Sequence, residues 1–136
     1  MALKWDPHRM ATGVEESDAQ HQELIQHVNE LFRLMHQGEG RAGLEDFMDF
    51  LGQYAAWHFR HEEECMNEHR CPVAAANRQA HAQFITIFKG YRSRLVSEGP
   101  TTSLVIEVQQ KVSDWIRNHI IRTDTRLRPC VRSEVA

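Results

Sequence analysis

Four separate stretches of this chain repeat apolar residues at the helical spacing i, i+3, i+4, i+7, and no stretch alternates as a strand would. In "SDAQHQELIQHVNELFRLMHQGEG" the face is His21, Leu24, Ile25, Val28, Leu31, Phe32 and Met35. Ser17 with Gln20 reads as a capping box, Asp18 as an alternative cap, and Gly38 and Gly40 close the segment. The second face runs Leu44, Phe47, Met48, Leu51, Tyr54, Ala55, His58, Glu62, Cys65 and Met66, and "HRCP" stops it. After Pro72 the third is Asn77, His81, Phe84, Phe88, Tyr91 and Leu95, closed by "SEGP". The fourth is Leu104, Val105, Val108, Val112, Trp115, Ile116 and His119.

Connections this short favour antiparallel neighbours, so the expected fold is all-α, an up-down-up-down four-helix bundle with an N-terminal arm. The length of 136 residues suits one domain. Its expected parts are an arm over about 1–16, a bundle over about 17–124 and a tail over 125–136. A net charge of -3 gives nucleic acid no reason to bind, and no apolar run is long enough to enter a membrane. The start, "MALKWDPHRM", lacks the apolar core of a secretory signal, so the expected location is cytoplasmic. Cys65, Cys71 and Cys130 are odd in number and lack CxxC spacing, which points to reduced thiols.

The polar residues on these faces are not scattered. His21 lies in the first turns of helix one, His58 and Glu62 in the last turns of helix two, Asn77 and His81 at the start of helix three, and His119 at the end of helix four. In an antiparallel bundle those places are one end. Within "HFRHEEE" only His58 and Glu62, one turn apart, point at the axis, while His61, Glu63 and Glu64 fall on the shoulder and are expected to be solvated. His8, His27, His36 and His69 lie at edges, in the arm or in a loop.

A single histidine on an apolar face is ordinarily a hydrogen-bonded core residue, but four at one level form a different pattern. Glu62 would be buried with no Lys or Arg in the layer to pair with it, and a divalent cation would supply the missing charge. Imidazole with carboxylate suits iron, zinc or manganese. Cys65, one turn beyond Glu62, reads as an inert buried thiol rather than a ligand.

Several spaced motifs, taken together, resemble the hemerythrin family, specifically bacteriohemerythrins, over nearly the whole chain. They are Trp5, "GVEESDAQHQEL", "HFRHEEECM", the Cys71–Pro72 turn, "HAQF" and "WIRNHIIRTD". The resemblance implies two non-heme irons, bridged by carboxylates and by an oxo or hydroxo group. One iron would take His21 and His58; the other would take position 77, His81 and His119; Glu62 and Asp124 would bridge them. Asp124 stands five residues after His119, as the family's HxxxxD pattern requires and an ideal helix face does not. Trp115 and Ile116 match the positions that wall the oxygen pocket, and read equally well as core packing.

One position departs from the pattern. The third helix reads "NRQAH", with Asn77 in place of the first histidine of HxxxH. An amide oxygen is a neutral, weaker ligand than imidazole, which leaves that iron a vacancy or a weakly held site. The other reading of Asn77 is a helix-start residue whose side chain bonds the backbone.

The family binds dioxygen reversibly, so the resemblance implies a carrier, store or sensor whose partner is dioxygen or another small gas or anion. A second function class is a di-iron redox enzyme acting on peroxide, nitric oxide or dioxygen through an extra open position. A third is a metal-binding bundle with a weakened site.

Overall fold

The helix that opens the bundle starts two residues before its expected cap, and its own sequence explains why. Glu15, Glu16 and Asp18 sit in the first turn, where carboxylates favour the positive end of the helix dipole. Ser17 is therefore a buried residue inside the helix, and the N-cap, Val14, offers no side-chain bond. Asp18 binds the arm instead: its Oδ1 accepts from the Thr12 backbone N at 2.8 Å and from Thr12 Oγ1 at 2.9 Å.

The computed structural model describes residues 3–130. A short helix α1, Pro7–Met10, is followed by four long ones: α2, Glu15–His36; α3, Gly40–Glu68; α4, Ala74–Glu98; and α5, Thr102–Arg122. A 3-10 turn, Asp124–Arg126, follows α5, and residues 127–130 are helical again. The described residues form no strand. Turns of three to five residues reverse the chain between the long helices, giving the expected antiparallel bundle. Gly38 and Gly99 adopt φ of 75° and 78° where α2 and α4 end, a conformation that costs glycine little. Thr101 caps α5, its hydroxyl accepting from Leu104 N at 3.1 Å.

One apolar core, including Leu31, Leu44, Met48, Leu51, Leu104 and Val108, fills the bundle away from the polar layer, and Ile116 carries it up to the layer. Below that layer a smaller cluster of Met66, Cys71 and Leu127 closes the end. The arm and tail are bonded to the bundle and to each other rather than hanging free. Leu3 exchanges two hydrogen bonds with the Asn29 side chain, at 2.8 and 2.7 Å, and Arg128 Nε donates to Ala11 O at 3.0 Å. None of the described helices is long and apolar enough to cross a membrane.

The cysteine expectation requires correction. Cys71 and Cys130 are joined in a disulfide across 59 positions of sequence, their Cα atoms 5.6 Å apart. The two lie far apart in sequence, but α4 and α5 run out and back, returning the tail to the α3–α4 corner. Cys65 is half-buried beside the small cluster rather than fully buried.

Candidate metal centre

Each long helix delivers one histidine to a single layer. α2 brings His21, α3 brings His58 with Glu62 one turn later, α4 brings His81, and α5 brings His119. The chain then leaves the helix at Thr123, and this break swings Asp124 back into the layer from a position that a continued α5 would have carried away. Asn77 lies one turn before His81. All seven are at most 7% exposed.

The imidazoles pair off. His21 Nε2 lies 2.9 Å from His58 Nε2, and His81 Nε2 lies 3.1 Å from His119 Nε2. Glu62 spans the two pairs. Its Oε2 is 3.3 Å from His21 and 3.4 Å from His58, while its Oε1 is 3.2 Å from His81 and 3.9 Å from His119. Asp124 does the same, with Oδ2 at 3.0 Å from His21 and Oδ1 at 2.9 Å from His119. Two overlapping donor groups result: His21, His58, Glu62 and Asp124, and Glu62, His81, His119 and Asp124. Within each, the candidate ligand atoms lie within 4.8 Å of one another.

This set fits metal better than it fits itself. The oxygens of Glu62 and Asp124 are buried and make no hydrogen bond of acceptable geometry, although imidazole nitrogens surround them. Their contacts are those of donors aimed at common points rather than at each other. The outer ring nitrogens of two histidines are held from behind: His58 Nδ1 by Gln20 Oε1, and His81 Nδ1 by Glu63 Oε2 at 3.1 Å. An acceptor at Nδ1 keeps the proton there and leaves the Nε2 lone pair facing inward, the tautomer a metal requires.

Without metal, the layer's charge state is set by its own members. Burial pushes the His21 imidazolium down, but the Asp124 and Glu62 carboxylates outweigh it and raise the group to about 10. His119 is likewise pushed down by burial and raised by Asp124 and Glu62, to about 9. Burial lowers His58. It would raise Glu62, yet His119, His21, His58 and His81 around it hold that carboxyl well below the usual range.

A small cavity of about 10 Å³ adjoins the layer, lined by His21, His58, His119 and Asp124 on its polar side. Leu24, Phe59, Trp115, Ile116 and Ile120 line the rest. Trp115 stacks on His119 with centroids 4.4 Å apart and planes at 15°, and Phe59 lies on His81 at 3.8 Å and 6°. Such a space holds one small molecule, on the order of a single water.

Gln20, Phe59 and Glu63 were not anticipated as parts of the site. Glu63 is a correction, since it is 28% exposed and contacts His81 instead of being fully solvated. Gln20 carries a signal in sequence, because it extends the buried face of α2 one turn before Leu24. His61 stays on the shoulder, 27% exposed and paired with Glu16 at 3.1 Å. Asn77 does not serve the helix start: its side-chain oxygen and nitrogen have no hydrogen-bond partner, while its backbone N donates to Val73 O at 2.9 Å.

The chain is similar to known proteins in sequence and in fold. Residues 12–131 match the family described as Hemerythrin HHE cation binding domain. A bacteriohemerythrin of Stenotrophomonas maltophilia is 31% identical over 108 residues, covering 79% of this chain and 68% of the relative. One of Methylococcus capsulatus is 24% identical over 129 residues, covering 95% and 96%. A solved structure entitled "Crystal structure of hemerythrin:wild-type" superposes with a TM-score of 0.83 at 24% identity, covering 96% of this chain and 98% of that one.

Proposed function

Since the chain belongs to the hemerythrin family, we propose that its histidine–carboxylate layer holds two non-heme irons and binds dioxygen reversibly. His21 and His58 would hold one ion, His81 and His119 the other, and Glu62 and Asp124 would each offer one oxygen to the first pair and its second oxygen to the other. Bound ferrous iron would supply electrons to dioxygen and recover them when the gas leaves.

The observation that carries this reading is the cavity of about 10 Å³ against His21, His58, His119 and Asp124. Its small size favours a ligand no larger than a diatomic gas over an organic substrate. The protein's part is to keep the gas and to withhold protons and water. Leu24, Phe59, Trp115, Ile116 and Ile120 wall the space with apolar or aromatic surface. Gln20 holds the His58 proton on Nδ1, so the Nε2 side presents a lone pair rather than an acid.

A second reading, a redox enzyme acting on peroxide or nitric oxide, is favoured by one feature. An open cleft of about 510 Å³ between α3 and α4 reaches Phe59, Glu63 and His81, giving the His81 side a wider approach than the small cavity.

The test is to load the protein with ferrous iron without air, count metal per chain, and follow visible absorption through repeated cycles of dioxygen addition and removal. Full recovery over many cycles with two irons per chain is expected. Oxidation complete in the first cycle would reject reversible binding and favour the enzyme.

A further inference from the structure

The amide of Asn77 has no evident occupation within the protein. It is 0% exposed, and both Oδ1 and Nδ2 are without a hydrogen-bond partner. Its backbone already completes the first turn of α4 through Val73, so no capping role explains the side chain. The residues three and four positions earlier, Ala74 and Val73, pack against the apolar cluster of Met66, Cys71 and Leu127 and offer no partner. A buried amide left this way is costly, which points to a partner supplied from outside the chain.

The two donor groups, compared, indicate what that partner is. Each has two imidazoles and one oxygen from each of two carboxylates. Asn77 lies one helical turn from His81, on the same face of α4, where a further imidazole would have completed the second group. Two-histidine, carboxylate-bearing sets with open positions are a recognised environment of reactive ferrous iron. An amide, unlike an imidazole, presents two N–H donors.

We propose that the Asn77 side of the layer is a second exogenous-ligand site, distinct from the small cavity, whose lining does not include Asn77. It takes a small anion that binds the His81–His119 metal and accepts a hydrogen bond from Asn77 Nδ2. The inference rests on the two-metal reading above. The chain would then bind two small ligands per centre, one on each side.

The test uses ferric iron-loaded protein and azide as the probe, followed by calorimetry and visible absorption. The wild type is expected to bind two azides per chain, and Asn77→His only one, because the new imidazole fills the position. Asn77→Ala should still bind two, one of them about tenfold or more weaker for want of the hydrogen bond. This last variant removes an unsatisfied amide, so it should fold. One azide per chain in a wild type holding two irons would overturn the inference and leave the two-metal reading standing. Azide affinities unchanged in Asn77→Ala would also overturn it. Fewer than two irons per chain would remove the two-metal reading and the inference together.

Discussion

Asp124 Oδ2 lies 3.0 Å from His21 Nε2, which joins the first long helix of the bundle to the turn that follows the last. The contact closes the layer into a ring, since Asp124 also faces His119 and Glu62 faces all four histidines. Every member of that ring is therefore held by at least two helices, and loss of one member should be felt at both donor groups.

His58→Ala and Glu62→Ala should each lower metal content, Glu62→Ala at both positions because it belongs to both groups. His61→Ala is the control, since its partner is Glu16 at the surface. Metal analysis of the three purified variants distinguishes them: two ions retained in Glu62→Ala, or metal lost in His61→Ala, would contradict the assignment.

Stability of the metal-free protein should depend on pH with a maximum near 6.5. His21 and His119 are raised to about 10 and about 9 from 6.5, so their contribution is complete below 6.5 and is lost as pH climbs through those values. Glu62 and His58 are lowered, so theirs is present above their ordinary values and is lost as pH falls. In the metal-loaded protein these histidines are already neutral, so the alkaline loss should be absent. Melting temperatures of both forms from pH 5 to 10 check this, and a flat metal-free curve between 6.5 and 9 would refute it.

Ile116→Ala should cost roughly 2–5 kcal/mol of stability, as a fully buried aliphatic truncation does. It should also enlarge the small cavity and let water in, so iron bound there should oxidise irreversibly sooner. Chemical denaturation and the rate of spectral change in air measure the two effects separately. A slower oxidation would mean that Ile116 does not guard the site.

Cys130→Ser should destabilise the chain by about 4 kcal/mol, the chain-entropy value for a closed loop of this length. A non-reducing peptide map should recover Cys71 and Cys130 in one cross-linked fragment. Recovery of separate peptides from protein kept oxidised would mean that the bridge does not form in solution.

The bundle was readable because each helix buries a face whose period survives in sequence, and the level of His21, His58, His81 and His119 followed from antiparallel order alone. What periodicity could not supply was the width of each face. α3 packs against α2, α4 and α5 together, so its buried arc takes in Phe59 and part of Glu63 beside the expected His58 and Glu62. The same limit hid the Cys71–Cys130 bridge. Nothing local to either cysteine records that two helices return the chain to its partner. Asp124 depended on the resemblance for a different reason, because the break at Thr123 that turns it inward is a departure from the very regularity being read.

The donors also divide evenly along the chain. The hairpin of α2 and α3 gives His21, His58 and Glu62, and the hairpin of α4, α5 and the turn gives His81, His119 and Asp124. Neither hairpin alone has the two carboxylates that either donor group needs. Cut at the α3–α4 corner, the molecule would become two complementary fragments with no complete donor group in either. Their recombination would be reported by metal uptake itself, and the layer would act as a clasp whose closure registers that both halves are in place.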